Sequence, residues 1–219
     1  MENREYDNWG DLLSAMMGDR GPMLVTTATT GLKEAEDQLI GVSLMEPGAA
    51  TVPRTVIRRV PEELLSKGRE YHRITRTASD RGVSDDELRA ELDKASETHT
   101  LFSYNAAFQR LWLSSRTTTG FIMVHNLPQL LKAAMSRQVV RLHDDDTMSD
   151  LETVCCRLAG NVPGFARFAR GLGMEEPSEE LWLPMERNLL LLSDMWSRLV
   201  SLPASVRVEA RAAQGPSEG

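Results

Sequence analysis

The stretch that decides the fold is residues 23–45, which read MLVTTATTGLKEAEDQLIGVSLM. Residues 23–27 and 38–45 are short apolar runs rich in β-branched side chains, and the turn-forming pair Thr30–Gly31 lies between them. Runs of this kind are typical of strands. A third run, residues 51–60, alternates loosely between apolar and polar side chains. Three strands joined by short connections indicate an antiparallel meander.

Helical and strand patterns alternate in the rest of the chain. Ser84 and Glu87 have capping-box spacing ahead of an apolar-periodic segment, which predicts a helix. Further strands are predicted at residues 100–104, 121–125 and 139–142, and further helices at residues 106–113, 127–135, 149–158, 165–172 and 184–200. A chain that begins with strands and then alternates strands with helices is typical of a mixed α/β domain.

The N-terminal residues 6–17 predict an amphipathic helix, because apolar side chains recur there at helical spacing. The apolar stripe consists of Trp9, Leu12, Leu13, Met16 and Met17. Such a stripe usually packs on its own domain, and the alternative is a docking helix for a protein partner. The helix and a linker are predicted to occupy residues 1–22. The main domain is predicted at residues 23–202, with an insertion near residues 114–147. Residues 203–219 are small and polar and are predicted to form a mobile tail.

Composition narrows the class of protein. The 219 residues include 25 Lys and Arg against 32 Asp and Glu, a net charge of −7, and 41% are hydrophobic, which excludes wholesale disorder. Apolar runs are too short to cross a bilayer and residues 2–7 lack an apolar signal core, so no membrane partner is expected. The only cysteines are the neighbours Cys155 and Cys156, which suit a reducing compartment. We expect a cytoplasmic protein.

One segment is locally basic although the chain is acidic. Residues 54–81 hold eight basic and four acidic side chains. This charge predicts either a solvated helix-and-loop surface or an edge that faces phosphate groups. The candidate basic patch comprises Arg54, Arg58, Arg59, Lys67, Arg69, Arg73 and Arg76.

Three stretches in order carry a family resemblance. Residues 24–32 read LVTTATTGL, residues 71–75 read YHRIT and residues 101–109 read LFSYNAAFQ. They resemble the first motif (hydrophobic-D-x-E-T-T-G-hydrophobic), the I-H-G-I-T segment and the second motif (L-V-A-H-N-A-x-F-D) of the DnaQ-like 3′–5′ exonuclease family, whose members have an RNase H-like core. The resemblance covers residues 23–113 well and residues 150–200 loosely.

The resemblance implies both a fold and a pocket. The fold is an RNase H-like mixed five-stranded sheet, antiparallel over its first three strands and then parallel, flanked by helices, here with an added N-terminal helix. The pocket is the family's site for a terminal nucleotide. Carried across by motif, its candidate residues are Thr29, Gly31, Leu32, His72, Asn105 and Phe108. A ligand contact and a purely structural role remain open for His72, and Arg73 replaces the family glycine.

The resemblance also implies a metal site that this sequence lacks. Family members bind two Mg²⁺ or Mn²⁺ ions through four carboxylates, and hard cations need such anionic oxygen ligands. The corresponding positions are Thr26, Ala28, Gln109 and, in the third motif on the last long helix, Leu190, with Met185 at the position of the family's general-base histidine. None is a carboxylate, so we expect no metal cofactor and no hydrolysis by the family mechanism.

Three function hypotheses follow. The first is a catalytically degenerate exonuclease fold that binds a single-stranded nucleic acid, a 3′ end or a protein partner, with a role in DNA replication or repair. The second is an active 3′–5′ exonuclease with relocated ligands, for which the acidic cluster Asp144–Asp146 beside His143 is the densest candidate, although consecutive residues make a poor chelate. The third is a structural module that docks through residues 6–17.

Overall fold

The computed structural model describes residues 4–48 and 51–209. The first half of the chain contains β1 (Arg4–Glu5), α1 (Trp9–Met17), β2 (Gly21–Thr29), β3 (Leu39–Met45), β4 (Arg54–Ile57), α2 (Glu62–Leu65), α3 (Arg69–His72), α4 (Arg76–Asp80), α5 (Asp85–Thr98) and β5 (His99–Ser103). The second half contains α6 (Ala106–Ser114), β6 (Val124–Asn126), α7 (Leu127–Met135), β7 (Val140–His143), α8 (Met148–Ala159), α9 (Phe165–Gly171), α10 (Pro184–Ser201) and β8 (Val206–Glu209).

The main sheet has five strands in the order β4-β3-β2-β5-β6. Strand β3 runs antiparallel to both β2 and β4, whereas β5 runs parallel to both β2 and β6. The predicted five-stranded mixed sheet is therefore confirmed. Its register sets Thr26 opposite Ser43 and Leu24 beside Phe102. A bulge between Ala28 and Thr29 ends the regular pairing of β2, just where the first motif reaches its turn.

Side-chain caps begin the helices that follow the strands. Ser84 and Glu87 form the predicted capping box of α5, and the side-chain oxygens of Asn105 and Asn126 accept hydrogen bonds from the first turns of α6 and α7. Strands β5 and β6 are parallel, so these two helix starts lie at the same edge of the sheet, together with the end of β2.

The N-terminal helix belongs to the core. Trp9, Leu12, Leu13 and Met17 are buried in one cluster with side chains of α7, α8 and α10. Burial of these four side chains in water-excluding contacts contributes favourably to folding at roughly 25 cal/mol per Å² of apolar surface. The predicted boundary at residue 22 therefore does not separate two packing units, since residues on both sides share this core.

A second, three-stranded sheet corrects the predicted tail. Residues 206–209 form β8, which pairs with β7 in parallel and with β1 antiparallel. Val206 and Val208 are buried in the core, so this part of the chain is fixed and is not the mobile extension that its small, polar neighbours indicated. Residues 210–219 of the predicted tail lie outside the described residues.

The predicted insertion is also corrected. Residues 114–147 contain β6, the fifth strand of the main sheet, as well as α7 and β7, so most of this segment is integral to the fold. Among the helices within residues 4–48 and 51–209, none combines the length and apolar content needed to cross a membrane.

Candidate functional site

The candidate site lies where β2 ends and α3 packs against it. Gly68 precedes α3 with a φ of 65°, and a Cβ atom there would lie 2.9 Å from the carbonyl oxygen of Thr30. Both the left-handed backbone and the close approach require glycine. This contact brings residues 29–32 of the first motif beside the segment that carries Tyr71 and His72. We call the buried part of this site the floor and the exposed part the rim.

The floor is apolar. Ala28 and Met185 are 6% and 3% exposed and belong to one buried cluster with Ile40 and Ile74. The Thr26 hydroxyl is wholly buried and donates a hydrogen bond to the Met185 carbonyl oxygen at 2.7 Å. The structure thus brings together two of the four positions at which the family resemblance places metal ligands, Thr26 and Ala28, and the position of the family's general-base histidine, Met185.

The other two positions lie apart from this cluster. Gln109 on α6 is wholly buried, and both its Nε2 and Oε1 atoms lack a hydrogen-bond partner among the described residues. Leu190 is partly buried and packs on the cluster that contains α1, α7 and α8. An unpaired buried amide lowers the free energy of unfolding by about 1–3 kcal/mol, so the Gln109 side chain destabilises the fold.

A chain of polar side chains beside the floor was missed by the sequence analysis. Ser43 and Thr55 face each other on β3 and β4 with their hydroxyl oxygens 2.7 Å apart, and Thr55 donates to Glu186 Oε1 at 2.6 Å. The other oxygen of Glu186 accepts from the Leu183 backbone nitrogen at 2.8 Å, at the start of α10. Leu183 has no side-chain acceptor, so only the Glu186 half of a capping box is present and the sequence carries no capping-box signal here. The carboxylate next to Met185 is therefore engaged in structural hydrogen bonds.

The residues of the floor do not fit a pair of divalent cations. Hydroxyl, methyl and thioether side chains replace the anionic oxygens that such ions need. Within the described ranges, no three His, Cys, Asp or Glu side chains come together as a metal-binding group. In the acidic cluster near residue 145, Asp146 accepts a hydrogen bond from the His143 backbone nitrogen at 2.9 Å, as in a turn.

The rim is exposed and partly apolar. The Leu32 side chain is 80% exposed and that of Tyr71 is 77% exposed. In the turn before Leu32, the Thr29 hydroxyl donates to the Gly31 carbonyl oxygen at 2.6 Å. A Cβ atom at Gly31 would lie 2.3 Å from Asp37 Oδ2, so only glycine allows this carboxylate to lie against the turn. Tyr71 lies within the segment that resembles I-H-G-I-T, but the resemblance does not predict it as a site residue.

His72 is held by the backbone on both sides of its ring. Its Nδ1 atom accepts from the Ile74 backbone nitrogen at 2.9 Å, so Nε2 carries the proton and faces the carbonyl oxygens of Leu65 and Lys67, each at 3.2 Å. The ring is 4% exposed, and burial lowers the pKa of His72. Of the two roles left open for this residue, the geometry is that of the structural one.

Asn105 and Phe108 lie at the start of α6. The Asn105 side-chain oxygen accepts from the Phe108 backbone nitrogen at 3.2 Å and caps the helix. The Phe108 ring is half-buried, with its centroid 5.9 Å from that of Trp112. Both residues follow β5 and so lie at the same end of the parallel strands as the rim, but they belong to a different element.

The basic patch is spread over several elements and is largely paired. Lys67 makes no ion pair within the part of the chain that the structure describes. The contacts of the others are Arg54 with Glu91, Arg58 with Asp85, Arg69 with Glu62, Arg76 with Asp80 and Glu62, Arg73 with Glu179, and the Arg59 guanidinium with the Gly82 carbonyl oxygen. Most of these pairs are substantially exposed, where such a pair is worth only about 0–1 kcal/mol.

An ion-pair network beside the rim was also missed. Glu179 bonds Arg73 at 2.6 Å and Arg187 at 2.8 Å, and Arg187 reaches Glu176 at 3.0 Å. The hydrogen bond from Arg73 lowers the pKa of Glu179, so this carboxylate is ionised at neutral pH. Arg73 makes this contact from a left-handed conformation, with a φ of 56°. The network fastens the loop before α10 to α3.

Comparisons with known proteins identify the fold. No protein-family model matches this chain, and no curated protein sequence does. Among solved structures, product-bound exonuclease I matches over 84% of this chain and 44% of its own, with a TM-score of 0.56 and 9% identity. The chain has an exonuclease I-like fold. E. coli exonuclease I in complex with a 5cy-dT13 oligonucleotide matches over 83% of this chain and 40% of its own, with a TM-score of 0.51 and 10% identity.

This likeness concerns architecture alone. The chain spans less than half the length of the exonuclease I structures that it matches. The likeness supports the predicted fold class, a mixed five-stranded sheet flanked by helices. At about a tenth identity, the comparison assigns neither activity nor ligand to this chain.

Proposed function

We propose that this chain binds the end of a single-stranded nucleic acid at the rim without hydrolysing it. The observation that carries the proposal is the contact of the turn after β2 with Gly68, which brings the segments of the exposed Leu32 and Tyr71 together. Beside them lies a floor built from Thr26, Ala28 and Met185. The rim can contact a base, whereas the floor offers no anionic oxygen to a metal ion.

The rim has the chemistry that single strands need. Exposed aromatic side chains stack on unpaired bases, and each stacked base contributes about 1–3 kcal/mol. Lys67, Arg69 and Arg73 lie within six residues of one another on and around α3, and the ion pairs of both arginines are largely exposed. A phosphate group can replace a carboxylate in such a pair at little cost.

Hydrolysis by the family mechanism needs two cations that activate water and stabilise the leaving oxygen. The floor offers one hydroxyl, already donated to a carbonyl oxygen, and apolar side chains. The proposal therefore assigns binding to this chain and no cleavage. Docking of a protein through residues 6–17 is the less favoured role, because the apolar stripe of α1 is buried in the chain's own core.

The test is fluorescence anisotropy with a labelled 12-nucleotide single strand, as DNA and as RNA, with Mn²⁺ and after addition of a chelator. We expect equal affinity under both conditions, no shortening of the strand, and weaker binding as salt rises. Tyr71→Ala should lower the affinity about tenfold. The control is Phe121→Ala, since Phe121 is an exposed aromatic residue before β6, at the opposite edge of the sheet.

Two results would contradict this proposal. Manganese-dependent shortening of the strand by the purified protein would establish the active exonuclease instead. Equal loss of affinity in the Tyr71 and Phe121 variants would place the strand somewhere other than the rim.

A further inference from the structure

A cavity of about 360 Å³ lies beyond the ends of β5 and β6. Its walls come from the turns Tyr104–Asn105 and Asn126–Gln129 and from the loop at residues 161–165. Because β5 and β6 are parallel, this cavity occupies the crevice outside the carboxyl ends of neighbouring strands, where open α/β sheets commonly bind ligands. Its volume falls within the range of small-molecule sites.

The polar groups of the cavity are mostly hydrogen-bond donors. The side-chain oxygens of Asn105 and Asn126 accept from the backbone nitrogens of Phe108 and Gln129, each at 3.2 Å. A backbone N–H can only donate, so these contacts fix the amide orientation and leave both Nδ2 groups available as donors. Gln129 Oε1 is likewise engaged, since it accepts from the Cys156 thiol at 2.8 Å.

Apart from Asn161, the rest of the wall is apolar and aromatic. The rings of Tyr104 and Phe165 stack with centroids 4.5 Å apart and an interplanar angle of 24°, and Pro128 and Val162 complete the surface. None of the residues that line this cavity carries a charge. Flat apolar walls with amide donors suit a planar, uncharged ring that bears carbonyl oxygens.

The walls are held in place by contacts outside the cavity. The Asn126 backbone nitrogen donates to Glu152 Oε1 at 3.1 Å. The Lys132 ammonium donates to the Asn161 carbonyl oxygen at 2.5 Å and so ties the loop to α7. Tyr104 is held by a hydrogen bond to Asn188 on α10. A cavity organised in this way loses little conformational entropy when a ligand binds.

We infer that this cavity binds a single pyrimidine ring with two carbonyl groups, of the uracil and thymine class. The amide nitrogens of Asn105 and Asn126 donate to the ring carbonyls, and the ring lies along the Tyr104–Phe165 wall. A free nucleoside and an unstacked base of a strand present the same ring, so either is a source. The inference rests on the cavity and not on the rim.

The experiment titrates the protein with uridine, adenosine and a four-residue oligothymidylate, followed by NMR. We expect uridine to bind with a dissociation constant of about 1 mM or lower, and adenosine, which lacks ring carbonyls, about fivefold more weakly. Gly164→Leu should fill the cavity, because a Cβ there meets nothing within 4 Å and the backbone (φ −49°, ψ 143°) accepts any residue. It should weaken uridine binding about tenfold or more.

The matched control is Gly171→Leu. Gly171 also has open space at its Cβ but does not line the cavity. A second blocking variant is Asn161→Leu. The Asn161 side chain is exposed, and the hydrogen bond from Lys132 goes to its backbone carbonyl oxygen, which the substitution keeps. Absence of uridine binding to the unmodified protein, or equal binding by the Gly164 and Gly171 variants, would overturn the inference.

The source of the ring is read from the oligothymidylate arm. If Gly164→Leu weakens the binding of uridine alone, the ligand of the cavity is a free nucleoside. If it weakens the binding of both uridine and the oligothymidylate, the cavity takes a base within a strand. Tyr71→Ala separates this inference from the proposed function. This variant should bind the 12-nucleotide strand more weakly and uridine unchanged. If the unmodified protein binds uridine but not the 12-nucleotide strand, the rim proposal fails and the cavity stands.

Discussion

The floor and the rim of the candidate site are only a few residues apart in sequence, yet they have opposite properties. Ala28 is 6% exposed in an apolar cluster, whereas Leu32, four residues later, is 80% exposed. The turn at residues 29–31 makes this change possible. Regular pairing of β2 ends at the bulge after Ala28, and the turn that follows lies against Gly68. Positions that would need charge for hydrolysis are closed and apolar, while positions that can touch a base are open.

This difference separates two consequences of mutation. A substitution in the floor should change stability, because each side chain there is packed on all sides. A substitution of Leu32 or Tyr71 should change binding and leave stability nearly unchanged, since exposed side chains contribute little to the free energy of unfolding. The following variants test whether the two parts are as distinct as the structure indicates.

The largest effect is expected from Ala28→Asp, which restores a carboxylate within the first motif. The new charge would be buried among Ile40, Ile74 and Met185 without a cationic partner. We expect a loss of about 3 kcal/mol in the free energy of unfolding, measured by urea denaturation. Ala107→Asp is the control, because Ala107 is exposed in the first turn of α6, where an acidic residue is tolerated.

A different result for Ala28→Asp would break the comparison between floor and rim. If the variant were as stable as the Ala107 variant and bound Mn²⁺, the floor would be an accessible metal site with one ligand missing. The contrast between closed and open parts would then be wrong.

A smaller effect is expected from His72, which lies under the rim. His72→Ala removes the acceptor of Ile74 N–H and the donor to Leu65 and Lys67, which should cost about 2 kcal/mol at pH 8. The folded-state pKa of His72 is lowered, so its neutral form stabilises the fold above the ordinary pKa of about 6.5. That contribution is lost as the pH falls through the folded-state pKa.

The measurement is urea denaturation of the original and variant proteins between pH 8 and pH 5. The cost of His72→Ala should shrink as the pH falls, whereas His143→Ala, at an exposed position on β7, should have little effect at any pH. A cost for His72→Ala that stays constant with pH would show that the ring does not act through its neutral form.

The main sheet could be predicted because its signals are local. The β-branched runs of β2 and β3 and the capping residues of α5 fix structure within a few neighbours, and the motif order supplied the rest. The small sheet could not be predicted in this way. Strand β1 has two residues and pairs with β8 about 200 positions later, and nothing within such short segments indicates its partner.

The candidate site could be predicted only as a set of positions. The third motif predicts Met185 and Leu190 as site positions; the Met185 carbonyl oxygen accepts a hydrogen bond from Thr26, whereas Leu190 packs on another cluster. The basic patch was read from the net charge of residues 54–81, but the carboxylates of Glu91 and Glu179 come from other segments. Charge counting within one segment cannot reveal partners that only the tertiary structure supplies.

The smallest effect concerns Arg73, at the edge between floor and rim. Arg73 has a φ of 56°, a conformation that costs a non-glycine residue about 1 kcal/mol, and in return it forms an exposed ion pair with Glu179. Arg73→Ala keeps the strain and loses the pair, whereas Arg73→Gly loses both. We therefore expect the glycine variant to be about 1 kcal/mol more stable than the alanine variant in urea denaturation. Equal stabilities would mean that α3 relaxes away from the left-handed conformation, and the position of Tyr71 at the rim would then depend on the Arg73–Glu179 contact.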